Sequence, residues 1–152
     1  MFMAEISSRP AVTVATIVER DGRFLLVEEE TRFGRKLNQP AGHLESGETI
    51  PDGAVRETLE ETGWRVRPTQ LVGIYTWADA GNGLTFVRFA YAAHAEAHDS
   101  DRPLDDGIVR ALWLTYEELA ARRAEHRSPL VLRCVEDYRA GQRWSGAIIT
   151  EL

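Results

Sequence analysis

The sequence predicts an α/β sandwich, and three observations lead there. β-branched or apolar runs of strand length recur along the chain, and segments opened by helix-capping residues are interleaved with them. All of them share 152 residues, the length of a single domain able to bury a core. Strands and helices alternating in one domain bury their apolar faces by stacking helices on two sides of a sheet.

Residues 1–9 read as a flexible leader and residues 10–152 as one domain. Runs 10–18 and 23–27 are strands, and Asp21-Gly22 between them is a hairpin signal, so the two pair antiparallel. Residues 28–37 read as a polar connector whose Arg32, Arg35 and Lys36 are either solvated or in contact with a bound anion. A helix is expected over residues 50–62: Thr49 with Asp52 makes a capping box, Pro51 is tolerated in the first turn, and Gly63 suits the position just past the end. Residues 65–68 and 71–77 are strand material, 79–83 a hairpin loop, and 84–93 a further strand in which Arg88 interrupts an apolar run. Residues 94–107 read as a polar acidic loop and 109–114 as a short strand. Thr115 and Glu118 make a second capping box for a helix reaching about Arg123. The last helix is capped by Ser128, has Pro129 at its first position and is closed by Gly141, with a stripe of Leu130, Val131, Cys134, Val135 and Tyr138.

Composition narrows the function. A net charge of -6 argues against unspecific binding to nucleic acid or to an anionic membrane. The single cysteine excludes an internal disulfide and is compatible with a reducing compartment. Residues 11–18 are β-branched and contain two Thr without a cationic leader, which suits a strand and not a signal peptide or membrane span. A cytoplasmic protein is expected.

The chemistry concentrates in residues 42–63. At about 100° per residue, Val55, Thr58, Leu59 and Thr62 share one helix face and Glu57, Glu60 and Glu61 an arc on the other side. Like charges at these spacings cost about 0.2 to 0.5 kcal/mol per pair unless a cation bridges them. Such a cluster is usually a solvated face, but hard oxygen donors also suit Mg²⁺ or Mn²⁺. Gly53 and Ala54, one turn earlier, would leave room beside Glu57 for a metal and a phosphate, and Gly42 is expected where the backbone takes positive φ or comes close to the metal.

Gly42, Glu48, Arg56, Glu57, Glu60, Glu61 and Gly63 fall at the spacings of the Nudix box, and the stretch resembles that of a Nudix hydrolase. The resemblance implies a Nudix-type α/β/α sandwich with a mixed sheet, and hydrolysis of a diphosphate linked to another group by metal-activated water. It implies that Glu57, Glu60 and Glu61 hold the metal with the carbonyl of Ala41, that one of these acids or a nearby loop acid is the general base, and that Glu48 and Arg56 pair to orient the helix. Thr58 departs from the bulky aliphatic residue common at its position, and Trp64 fills the closing hydrophobic one. Outside the box, residues 38–45, 87–89, 127–131 and 138–143 are similar to the NudJ-type phosphatases. That likeness implies Mg²⁺-dependent hydrolysis of nucleoside di- and triphosphates and of the pyrophosphates of thiamine and its pyrimidine precursor. The same box serves sanitisers of oxidised nucleoside triphosphates, and a non-catalytic nucleotide-binding module would be expected to lose carboxylates that this chain keeps.

For the substrate, Arg88 either meets phosphate in the cleft or reaches solvent at an edge. Arg127 and Ser128 stand before a helix N-terminus where an anion can bind, or where Ser128 simply caps. Tyr75 and Trp77 share a strand face and either sandwich a heteroaromatic ring or pack in the core. His43, His94, His98 and His126 show no ligand spacing, and Asp99, Asp101, Asp105 and Asp106 offer an extra metal ligand or base unless their loop is merely solvated. A small-molecule diphosphate is the expected partner, handled by a monomer or a homodimer.

Overall fold

The structure, a computed structural model, describes residues 9–152. The expected leader over residues 1–9 therefore lies outside it, apart from an exposed Arg9. In chain order come β1 (Ala11–Arg20), β2 (Arg23–Thr31), β3 (Gly34–Asn38), β4 (Ala41–His43), α1 (Ile50–Thr62), β5 (Trp64–Ala78), β6 (Thr85–His98), β7 (Ile108–Thr115), α2 (Tyr116–Ala121) and α3 (Leu130–Arg139). The strands form a seven-stranded sheet in the order β3-β2-β1-β6-β5, with β4 on β1 and β7 on β2. β1 runs parallel to β6, and every other pair is antiparallel, so the sheet is mixed.

Local chemistry explains the element ends. Asp21 and Gly22 take φ of 51° and 76°, the double positive φ of a two-residue hairpin that turns β1 into β2. Thr49 accepts from the Asp52 N–H at 3.2 Å to open α1, and Gly63 closes it at φ 75°. Thr115 accepts from Glu118 N–H at 3.1 Å to open α2, and Ser128 accepts from Leu130 N–H at 3.2 Å, with Pro129 at the entry of α3 rather than inside it. One cap is unanticipated: the Glu151 carboxylate, at the far end of the chain, accepts from the Ile50 N–H at 2.9 Å.

Two expected loops are strands. Residues 28–37 continue β2 and return as β3, because Glu29 and Glu30 face Lys36 and Arg35 across the ladder and Arg35 reaches Glu30 at 2.7 Å. Residues 94–98 extend β6 along the start of β5, where Trp64 stacks on His98 at 4.7 Å and Arg67 meets Glu96 at 3.2 Å. Cross-strand partners favour these polar runs, and hydropathy along the chain does not register them.

Helices cover both faces of β1. Its Ala15 and Ile17 pack with Leu119 of α2 and Val131 and Val135 of α3, whereas Val14 packs with Ala54 of α1. Thr58, fully buried, shares a 2.8 Å hydrogen bond with Thr16 and donates to Ala54 O, so its hydroxyl as well as its methyl ties α1 to the sheet. The packed face of α1 is also rotated from the expected one: Gly53, Ala54, Glu57, Thr58, Glu61 and Thr62 are buried, and Val55 and Leu59 only partly so. Small residues at Gly53 and Ala54 let the helix settle towards its carboxylates. Among the described residues no helix is long and apolar enough to cross a membrane.

Candidate active site

Arg56 organises the acidic side of α1. Its guanidinium grips Glu48 with two bonds, Nε to Oε2 at 2.9 Å and Nη2 to Oε1 at 2.7 Å, and reaches Glu57 at 2.9 Å and Glu60 at 3.1 Å. Nη2 also donates to the His43 carbonyl at 3.1 Å, which anchors the group to the end of β4. Hydrogen bonding to Arg56 holds the Glu48 carboxyl below its ordinary range, and hydrogen bonding to Glu48 raises Arg56 in turn. The space at Gly53 is filled by Glu48 and Leu44 and not left for a ligand: a Cβ there would lie 2.8 Å from Glu48 Oε1 and 3.2 Å from Leu44 Cδ1.

Of the three carboxylates that α1 gathers on one arc, Glu57, Glu60 and Glu61, two are buried. Glu57 lies against Gly42, where a Cβ would collide with its carboxyl group, so Gly42 serves close approach to a side chain, and it is not among the glycines with positive φ. Burial raises the Glu57 pKa against the opposing pull of Arg56. Glu61 accepts from the Ala41 N–H at 2.8 Å, and burial, reinforced by Glu57, Glu29 and Asp105, pushes its pKa up to about 8. The third, Glu60, is half-buried, and its backbone carbonyl accepts from the Asp105 N–H at 3.0 Å. That bond brings the loop acid in: Glu57, Glu60 and Asp105 each offer an oxygen within 4.8 Å of the others. Crowded hard oxygens, partly buried and under-compensated by a single arginine, fit a divalent cation.

Next to the acidic cluster, β4 also borders a cavity of about 200 Å³, with Ala41, Gly42 and His43 in its wall. Arg88 enters from β6 and is buried, donating to Gln39 Oε1 at 2.9 Å and Asn38 Oδ1 at 3.1 Å, so it does not reach solvent at an edge. Arg127 and Ser128 close the wall before α3, with Arg127 3.6 Å from Glu29. They also border a second cavity of about 450 Å³. Trp77 lines both cavities and stacks on Phe86 at 5.7 Å with the planes 19° apart. Tyr75 is not brought into either: its ring packs on the core and its hydroxyl donates to Asp137 of α3 at 2.9 Å.

Several cavity residues escaped the sequence reading. Phe86 is the ring facing Trp77 because the two are direct partners in the β5–β6 ladder. Glu29 lines the cavity beside a bulge in the β2–β7 pairing, inside a stretch taken for a connector. His43 reaches it from β4. Asp105, in the acidic cluster and not in the cavity, is one of the loop acids that the sequence offered as an extra ligand or base. Arg32, Arg35 and Lys36 lie elsewhere: Arg35 pairs with Glu30, Lys36 donates to Ala124 O at 3.2 Å and Arg32 sits over the Phe33 ring.

Comparison with known proteins agrees with this geometry. The NUDIX domain model matches residues 7–134. Phosphatase NudJ from Escherichia coli strain K12 and from Shigella boydii serotype 4 are each 38% identical over 136 residues, 90% of this chain and 88% of theirs. A solved NUDIX hydrolase from Nitrosomonas europaea is 50% identical and superposes with a TM-score of 0.93 over 95% of this chain and 98% of that one. A MutT NUDIX hydrolase from Burkholderia pseudomallei, 22% identical with a TM-score of 0.73 over 86% of this chain and 98% of that one, shares the fold. The chain belongs to the Nudix family and is a hydrolase of pyrophosphate bonds.

Proposed function

We propose that the chain is a cytoplasmic, Mg²⁺-dependent phosphatase and pyrophosphohydrolase, with Mn²⁺ able to substitute, that acts on nucleoside di- and triphosphates and on thiamine-type pyrophosphates. One observation carries this reading: β4 borders both the acidic cluster and the cavity, since Gly42 seats the Glu57 carboxyl group and also lines the cavity. A polyphosphate lying across β4 meets carboxylates at one end and arginines and aromatic rings at the other.

Glu57, Glu60 and Glu61, with Asp105 and the Ala41 carbonyl, would hold the cation, which when bound neutralises phosphate charge and makes water a better nucleophile. The rest is done by the chain itself. Glu48 pins Arg56, and Arg56 fixes the rotamers of Glu57 and Glu60 through its other donors. Arg88 and Arg127 take anionic oxygens of the substrate, joined by the Ser128 hydroxyl, and Trp77 with Phe86 presents a ring face to a heteroaromatic group.

The test is release of phosphate and pyrophosphate, with Mg²⁺, across thiamine pyrophosphate, its pyrimidine diphosphate precursor, nucleoside di- and triphosphates, ADP-ribose and oxidised dGTP. Broad nucleotide cleavage or preference for thiamine-type compounds is expected. Strong selectivity for oxidised dGTP would overturn the substrate class in favour of a pool sanitiser, and absence of release from any of them would point to a nucleotide-binding module.

A further inference from the structure

We infer that Gln39 is a positioning residue of a buried anion site, in which amide oxygens alone hold the Arg88 guanidinium and leave its charge free for a phosphate or similar compact anion of the substrate. The inference rests on the reading above that the cavity takes an anionic substrate, and it names what makes Arg88 able to bind one.

Arg88 is 6% exposed, and buried arginines are almost always matched by a carboxylate. Here, among the described residues, no carboxylate oxygen lies within 4.0 Å of it. Among the described residues its hydrogen-bond acceptors are Gln39 Oε1 and Asn38 Oδ1, one bond each, and its Nε has none although it is fully buried. A guanidinium offers five N–H groups in a rigid fork, so two are used and the rest remain. Of the acids nearby, Glu29 faces Arg127 at 3.6 Å and feels the Arg88 charge only from beyond ion-pair distance, and Asp137 takes Tyr75 and Arg133. Cys134, packed beside the guanidinium, is kept neutral by burial, which pushes its thiol pKa up.

Gln39 is built to keep that arrangement. It is 1% exposed, and its Nε2 donates to the Val131 carbonyl of α3 at 2.7 Å, which turns Oε1 towards Arg88. A glutamate of the same shape would still accept from Arg88 but would cancel its charge. The amide gives orientation without neutralisation, a distinction that matters only if an anion arrives from outside.

The experiment compares Gln39→Glu with Gln39→Met in the full chain, measuring kcat and KM for a nucleoside triphosphate with Mg²⁺ and, in chelator, the melting shift produced by inorganic pyrophosphate. Gln39→Glu is expected to raise KM about tenfold and abolish the pyrophosphate shift, with kcat falling far less, whereas Gln39→Met raises KM only about two- to threefold although it loses both hydrogen bonds. A purely structural role predicts that KM and the pyrophosphate shift follow the loss of melting temperature across the two variants, and Gln39→Glu matching or outperforming Gln39→Met in both readouts overturns the inference. Should Gln39→Glu fail to fold, Asn38→Asp places the counter-charge on the other amide and the same KM rise is required of it. If the wild-type chain hydrolyses none of the nucleotides, the proposed function fails by itself. The pyrophosphate shift then decides the anion site: loss in the charged variant supports it, and no shift in the wild-type protein overturns it.

Discussion

The acidic cluster and the cavity, which β4 borders in common, are charged in opposite senses and are compensated in opposite ways. At the acidic end one arginine, Arg56, is shared among Glu48, Glu57 and Glu60, while Glu61 is buried with only a backbone N–H for support. In the cavity, Arg88 has two neutral amides and Arg127 a loose 3.6 Å contact. Elsewhere on the surface pairs are matched one to one, as in Arg35 with Glu30 at 2.7 Å. An excess of negative charge in the cluster and of positive charge in the cavity is poor design for stability alone. It is what a metal-bound polyphosphate would complete at both ends at once.

The comparison is broken most directly at the acidic end. Glu57→Gln keeps the size of the side chain and removes its charge, and turnover with Mg²⁺ should fall at least about a hundredfold while the fold, followed by circular dichroism, is retained. Unchanged turnover would dismiss Glu57 from the site. Arg56→Met strips the shared counter-charge from buried Glu57 and half-buried Glu48 and Glu60, and urea denaturation should show a loss of about 2 to 4 kcal/mol. A loss no larger than that of an exposed ion pair would mean the carboxylates are solvated.

A third measurement sharpens the same contrast through pH. Glu61 has a folded pKa of about 8, above its ordinary value of 4.5, so between these values the folded chain holds a proton that the unfolded chain has released. Its contribution to stability is complete below 4.5 and is lost as pH rises towards about 8. The metal-free protein should therefore melt progressively lower across that window, at about 2 to 4 °C per kcal/mol lost, and Glu61→Gln should flatten the trend. An equal slope in the variant would assign the effect to other groups.

The smallest effect belongs to the far end. Trp77→Ala removes one ring of the stacked pair, and KM for substrates carrying a heteroaromatic ring should rise about three- to tenfold, with inorganic triphosphate unaffected. An equal rise for both would mean that the tryptophan shapes the wall and does not stack on substrate.

Legibility from sequence follows the range of the interactions involved. The helix at 50–62 was readable to the residue because its determinants are local: Thr49, Gly63 and the spacing of Arg56 from Glu60 all act within a turn or two. Which of its faces is buried was not, because the fit of Gly53 and Ala54 against β1 and β4 rotates the packed side towards Glu57 and Glu61. The strands at 28–37 and 94–98 were missed for a related reason, since their polar residues find partners only across a ladder.

The sequence by itself determined the family, the box helix with its carboxylates, the hairpin at Asp21-Gly22 and the N-caps of the first two helices, whereas Pro129 and not Ser128 stands at the N-cap of the third. Only the tertiary structure decided that Asp105 joins the acids, that Phe86 and not Tyr75 faces Trp77, and that Arg88 is held by Asn38 and Gln39. Helix periodicity and capping are fixed by neighbours a few residues apart. The cavity is assembled from segments tens of residues apart, and its chemistry follows from register and burial, which no single stretch of chain specifies.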